Sequence, residues 1–223
     1  MYNRLERLIG IDNLKKLMDK KVLIVGLGGV GGTAFEALVR SGIINFIIVD
    51  KDRFDISNLN RQILALEKDI GEYKVLVASK RAKNINKNIN IEAIQEDINN
   101  INLNEYKSVD YIIDACDDIP AKIRLIKFAN ENNIKIISAL GMGKRLEAFK
   151  VELTTLDKTK DCPLAKKLRY ELRKENISLK IPVVFSSETP VTKDNIVASC
   201  MFVPSTAGLY LANYVFLDII NNR

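Results

Sequence analysis

The feature that most constrains this chain is a β-branched run that ends in glycines. Lys21-Val-Leu-Ile-Val25 leads straight into Gly26-Leu-Gly28-Gly29-Val-Gly31, and a helical stretch from Gly31 to Ser41 then stops at Gly42. A second apolar run, Phe46-Ile-Ile-Val49, closes on Asp50. Apolar runs without alternation read as strands buried on both faces, hence a parallel sheet. Strand, glycine turn, helix and strand in about 30 residues make a βαβ unit.

The glycine spacing is that of a phosphate-binding loop. Gly26 allows the tight turn, Gly28 lets phosphate approach the backbone, and Gly31 lets helix and strand pack closely. The helix then points its amino terminus at the anion. Asp50 stands where a carboxylate accepts hydrogen bonds from a ribose. A glycine-rich turn with a capping aspartate is the plainer alternative, and the strand-to-helix context favours the nucleotide. The loop alone does not say which nucleotide.

Strands and helices keep alternating to about residue 140. Val75, Ala78, Ala82 and Ile85 fall on one helical face, and Tyr111-Ile-Ile113 reads as a buried strand within 109–114. Asp118 and Pro120 suit the start of a helix running to Asn132, and Ile134 to Leu140 is a further strand. Ala148 to Leu153 and Ile181 to Phe185 read as strands around a polar helix from Asp161 to Glu175. The expectation is α/β: a Rossmann-like, mostly parallel sheet flanked by helices, with an elaborated C-terminal half. The 223 residues form one domain, with a nucleotide-binding core at 20–140 and a substrate-side elaboration at 141–223. Phe202 to Ile220 has the length of a membrane span, but Asn213 and Asp218 interrupt it, so it reads as a buried C-terminal helix.

Composition excludes several chemistries. The chain has no histidine, which removes Ser-His triads and His-ligated zinc. Its three cysteines, Cys116, Cys162 and Cys200, are scattered and odd in number. They make neither a disulfide framework nor a cysteine-rich zinc site and point to a reducing compartment, the cytoplasm. The N-terminus carries charges where a secretion signal needs an apolar stretch. A net charge of +6 fits an anionic partner.

The residues after Asp50 argue against a nicotinamide cofactor, whose ring needs a mostly apolar slot. The run Asp50-Lys-Asp52-Arg-Phe-Asp55-Ile-Ser-Asn58-Leu-Asn60-Arg61-Gln62 is dense in polar groups. Arg61 and Lys74 would supply positive charge for a triphosphate. Asp117, just past a strand, could hold Mg²⁺, which takes one or two carboxylates plus phosphate oxygens. Singly, each is better read as a solvated charge. Together at strand carboxyl ends, where open α/β sheets bind ligands, they favour nucleotidyl transfer.

With Gly26-x-Gly28-Gly29-x-Gly31, Asp50-x-Asp52, Asn58-x-Asn60-Arg61-Gln62, Gly71-x-x-Lys74 and Asp114-Ala-Cys-Asp117 in this order, the chain resembles the adenylating superfamily of ubiquitin-activating-like enzymes. Arg4-Leu-Glu-Arg-Leu-Ile-Gly10, Asp157 to Arg169, Phe185-Ser-Ser-Glu188-x-Pro190 and Phe202-Val-Pro-Ser-x-Ala-Gly208 are similar to the tRNA threonylcarbamoyladenosine dehydratases. That resemblance implies an ATP-dependent enzyme that adenylates a carboxylate on a modified tRNA adenosine and closes it into a ring. It implies that the glycine loop, Asp50 and Asp52 serve adenosine and ribose. Asn58, Arg61, Lys74 and Arg4 would hold phosphates, Arg4 coming from a homodimer partner, and Asp117 would hold Mg²⁺. Arg61, Lys74 and Asp117 are then the catalytic set. Two positions depart from the pattern: Cys162 replaces an Asp before Pro163, and Leu146-Glu-Ala148 replaces Asp-Pro-Thr.

The second half is basic, with eleven Lys/Arg against six Asp/Glu between Gly141 and Lys180. Lys166, Arg169 and Arg173 share a helical face, a candidate contact for the tRNA backbone; a solvated helix face is the plainer alternative. The nearest rival function is an adenylyltransferase for a ubiquitin-like sulfur-carrier protein. Its relatives typically add two Cys-x-x-Cys pairs, which are absent here, although a sulfur-transfer partner stays compatible with the resemblance. A non-catalytic module that senses NAD is the rival from another class.

Overall fold

The computed structural model describes residues 1–192 and 198–221. Two short helices, α1 (Asn3–Ile9) and α2 (Ile11–Asp19), precede β1 (Lys21–Val25), α3 (Gly29–Arg40), β2 (Asn45–Val49), α4 (Lys74–Ile85) and β3 (Asn90–Ile94). There follow β4 (Tyr111–Asp114), α5 (Ile119–Glu131), β5 (Lys135–Ala139), β6 (Val151–Thr155), α6 (Pro163–Lys174), β7 (Pro182–Ser186) and α7 (Phe202–Asn221). The strands form one sheet in the order β3-β2-β1-β4-β5-β7-β6. Every pairing is parallel except β6 with β7. The Rossmann-like, mostly parallel α/β sheet expected from the sequence is therefore present, and the second half extends that same sheet.

The apolar side chains of β1, β2, β4 and β5 alternate between two cores. Val22, Ile24, Phe46, Ile48, Ile113 and Ile137 pack under α3, α4 and α7. Leu23, Val25, Ile47, Ile112 and Ile136 pack under α5 and α6. This two-sided burial is why the strands read as continuous apolar runs.

Some boundaries differ from the sequence-based expectation. β3 leaves no clear apolar run because it is an edge strand: Asn90 and Glu92 face solvent, and nothing in it is fully buried. β6 starts at Val151 rather than Ala148, because Ala148–Lys150 forms a 3₁₀ turn. α6 starts at Pro163, a residue suited to the first helical turn.

α7 lies on α3 as a core helix. Gly208 permits the close approach, since a methyl group there would sit 2.4 Å from the Val30 carbonyl oxygen. Asp218, the one acid of α7, accepts from Tyr111 Oη at 2.5 Å and pairs with Lys135 Nζ at 2.6 Å. By length and composition alone α7 could cross a membrane, and half of that span is buried inside the protein.

Candidate active site

Strand order reverses between β1 and β4, because β1 continues to β2 and β3 on one side while β4 continues to β5 on the other. The loops leaving these two strands flank the crevice in which such sheets bind ligands. Gly26 turns sharply with φ +87°, and a side chain there would strike the Ala115 carbonyl oxygen at 2.8 Å. Gly31 is just as constrained, since a methyl would lie 1.8 Å from the Gly26 carbonyl oxygen. The loop after β1 is thus wedged against the loop after β4, and α3 begins directly above the wedge. Its N-cap, Gly28, offers no side-chain cap, so the first N–H groups of α3 stay open toward the crevice.

Asp50 ends β2 beside this loop. Its Oδ2 accepts from the Leu27 N–H at 2.6 Å and its Oδ1 from the Asp52 N–H at 2.8 Å. Burial pushes the Asp50 carboxyl up from its ordinary value, against the pull of Lys74 and of these two N–H groups. Lys74 opens α4 almost fully buried, and its Nζ pairs with Asp52 Oδ2 at 2.8 Å.

The Asn58-to-Gln62 run crosses the mouth of the glycine loop. A methyl on Gly29 would come within 3.0 Å of the Arg61 carbonyl oxygen. The Arg61 guanidinium donates to the Ser57 carbonyl at 2.6 Å and to Asn60 Oδ1 at 3.0 Å, and it forms no ion pair with the described residues. Asn58 is buried and spends its Oδ1 on the Asp55 N–H at 3.2 Å, so it shapes its own turn. Gln62 carries no role in the sequence-based expectation. It is buried beside Gly28, its Oε1 has no partner, and its Nε2 is the one heavy atom, at 3.9 Å, that a Gly28 methyl would approach. A buried amide oxygen without a donor costs about 1–3 kcal/mol, which a bound ligand can recover.

The opposite wall is the loop after β4. Asp114 is fully buried and bonded through both oxygens to Lys122 Nζ, at 3.0 and 2.9 Å. The same ammonium donates to the Ala139 carbonyl at 2.7 Å, so it ties the ends of β4 and β5 together. Burial opposes the Lys122 charge, but Asp114 outweighs it and raises the ammonium above its ordinary range. Asp114 is thereby consumed, whereas Asp117 is exposed and forms no hydrogen bond or ion pair with the described residues. A single free carboxylate on the loop after β4 could hold Mg²⁺, which takes one or two carboxylates and completes its shell with phosphate oxygens and water. Among the described residues no cluster of three acids or cysteines offers a rival metal site. Burial and the adjacent Asp114 push the Cys116 thiol well up, so it is not poised as a nucleophile.

One expected residue of the cleft is not brought here within one chain, and one expected member of the basic α6 face turns away from it. Arg4 lies exposed on α1, two residues after Tyr2, whose hydroxyl donates to the Val39 carbonyl near the far end of α3. α3 has 12 residues, about 18 Å of helix, so Arg4 stands far from the glycine loop. Arg169 is not a free member of the basic face. It turns inward and donates to the Thr159 carbonyl at 3.0 Å and to the Thr159 hydroxyl, anchoring the turn before α6. Lys166 and Arg173 remain exposed on that helix, with Lys167 beside them.

A Rossmann-like sheet with a glycine loop at its switch point, bordered by Asp50, Lys74 and the Asn58-to-Gln62 run, has the build of a nucleotide-handling enzyme. The chain belongs to the ThiF family, whose family model matches residues 2–197. It is 33% identical to the tRNA threonylcarbamoyladenosine dehydratase of Bacillus subtilis, over 99% of this chain and 95% of that protein. The crystal structure of the Escherichia coli tRNA N6-threonylcarbamoyladenosine dehydratase in complex with ATP superposes with a TM-score of 0.92 at 29% identity, covering 99% of this chain and 94% of that one. A Thermus thermophilus sulfur carrier protein adenylyltransferase is 34% identical over 51% of this chain and 42% of its own length.

Proposed function

We propose that this protein is an ATP-dependent dehydratase acting on threonylcarbamoyl-adenosine in tRNA. The enzyme adenylates the threonyl carboxylate, and the carbamoyl group of the same side chain then attacks the acyl-adenylate to close a ring, with release of AMP and pyrophosphate. What supports this reading is that the segments carrying Arg61 and Asp117 border the glycine loop at the β1/β4 switch point, with Lys74 beside Asp50 and Asp52. Carboxylate and triphosphate repel each other, so their meeting at phosphorus requires cations aimed at the developing charge. Asp117 would hold Mg²⁺, which adds positive charge at the phosphates. Ring closure needs no protein nucleophile, because both reacting groups sit on one side chain held in one pocket. That suits a chain without histidine. Gln62 joins the set as a donor and acceptor beside Gly28.

In this reading the enzyme is a cytoplasmic homodimer in which a second copy supplies Arg4, since the chain's own Arg4 is remote. Asp50 receives the ribose hydroxyls in its ionised form. Because burial raises its carboxyl, protonation sets in at higher pH than for an ordinary aspartate. AMP affinity should therefore weaken on acidification already above about pH 4. Calorimetric titration of AMP across roughly pH 4–7.5 checks this; affinity flat down to the ordinary aspartate range would remove Asp50 as the ribose ligand.

The exposed cations of α6 serve the tRNA backbone. Charge reversal at Lys166 and Arg173 together should weaken tRNA binding and lower the slope of log K against log salt by roughly 1.8, about 0.9 for each phosphate no longer neutralised. ATP affinity should stay unchanged. An unaltered salt slope would make α6 an ordinary solvated face.

A further inference from the structure

Beyond β5, on the side of the sheet covered by α6, a buried guanidinium lies near the start of a helix. Arg145 is 4% exposed. Its Nε donates to the Glu188 carbonyl at 3.1 Å, and its Nη1 to the carbonyls of Gly141 at 2.8 Å and Gly143 at 3.0 Å. Its Nη2 is buried and has no partner. All its acceptors are neutral. Glu188 turns its carboxylate to the N–H groups of Leu146 and Glu147 instead, at 2.9 to 3.2 Å. Among the described residues no carboxylate pairs with this guanidinium.

α6 begins at the same spot. Its N-cap is Cys162, which makes no side-chain cap, and Pro163 has no N–H to offer. The open donors of the first turn are therefore the N–H groups of Leu164 and Ala165. Asp161, one residue earlier, is exposed and supplies no cap. A methyl group on Gly141 would lie 3.9 Å from Cys162 Sγ, 4.0 Å from Arg145 Nη1 and 4.0 Å from Leu164 Cβ, so the guanidinium and the first turn of α6 border the same point.

A buried guanidinium N–H left unpaired is costly even with the Glu188 carboxylate nearby, because that carboxylate is spent on backbone N–H groups, and a helix amino terminus adds about half a positive charge beside it. One oxyanion relieves both, accepting from Nη2 and from the open N–H groups. We propose that Arg145 and the amino terminus of α6 form a binding site for a phosphate-class oxyanion, separate from the nucleotide cleft. The anion is either free inorganic phosphate or a phosphodiester of RNA lying along α6. Nη2 is sealed in the free protein, so entry requires the Gly141–Arg145 loop to open.

Two variants of the full-length protein test this. Cys162→Asp places a carboxylate at the cap, where it satisfies the first turn and faces Arg145, filling the site from within. Arg145→Met removes the charge while keeping an unbranched side chain. With the nucleotide cleft filled by saturating AMP, inorganic phosphate should raise the unfolding midpoint of the wild type more than chloride of equal ionic strength does, and should not do so in either variant. If the ligand is a phosphodiester, both variants also lower the salt slope of tRNA binding by about 0.9. If it is free phosphate, only the midpoint response disappears. A folded Cys162→Asp protein that responds to phosphate like the wild type overturns the site. So does a wild type that responds no more to phosphate than to chloride while all three proteins share one tRNA salt slope. Because Cys162→Asp adds a cap, it keeps the test decisive even where Arg145→Met fails to fold, and the phosphate arm does not depend on tRNA being the substrate.

Discussion

Lys74→Met should slow ATP-driven adenylation by about 10²–10³-fold, the range typical for removing a preorganised group that stabilises transition-state charge. Lys74 is suited to that task because it is buried, with a side chain only 7% exposed, and opens α4 opposite the glycine loop. Its present partner, Asp52, is 55% exposed, so the ion pair contributes little and can be exchanged for phosphate without much loss. The same exposure means that the variant should fold, since the carboxylate left behind is hydrated. ATP–pyrophosphate exchange measures the effect directly. A rate within about threefold of the wild type, well short of the range expected for such a group, would show that Lys74 does not touch the triphosphate.

The second large effect falls on stability. Lys122→Met should destabilise the fold by about 3–5 kcal/mol, because it strands the fully buried Asp114 without its counter-charge. For a chain of this size that corresponds to a fall in unfolding midpoint of roughly 10 °C or more. The double variant Asp114→Leu/Lys122→Met removes both charges and should recover most of the loss, as paired replacement of buried ions often does. Denaturant unfolding of wild type, single and double variants decides the matter. A single variant within about 1 kcal/mol of the wild type would mean that Asp114 finds another partner or becomes neutral at no great cost.

The contrast between these two lysines also explains what the sequence could and could not disclose. Both are charged residues on helices, and nothing local distinguishes them. Lys74 is legible because Gly71 and the Asn58-to-Gln62 run frame it at a strand's carboxyl edge. Lys122 is not, because its burial depends on Asp114 of β4 and on a carbonyl of β5, a juxtaposition made only by the folded sheet. The central strands are legible because burial on both faces writes itself as uninterrupted Val, Ile and Leu. β3, at the sheet edge, buries too little to leave such a trace. Helical spacing places Lys166, Arg169 and Arg173 on one face, but spacing does not show that carbonyls of the preceding turn draw Arg169 inward. Gln62 stands in a recognisable motif, yet only its stranded Oε1 marks it as awaiting a ligand.

The most direct trial is mass analysis of the anticodon-loop nucleoside after the purified enzyme has met threonylcarbamoylated tRNA and Mg·ATP. The expected result is a nucleoside lighter by one water, with AMP appearing in step. An unchanged nucleoside, with AMP released only when a sulfur-carrier protein is added, or with NAD rather than ATP filling the cleft, would contradict the dehydratase assignment.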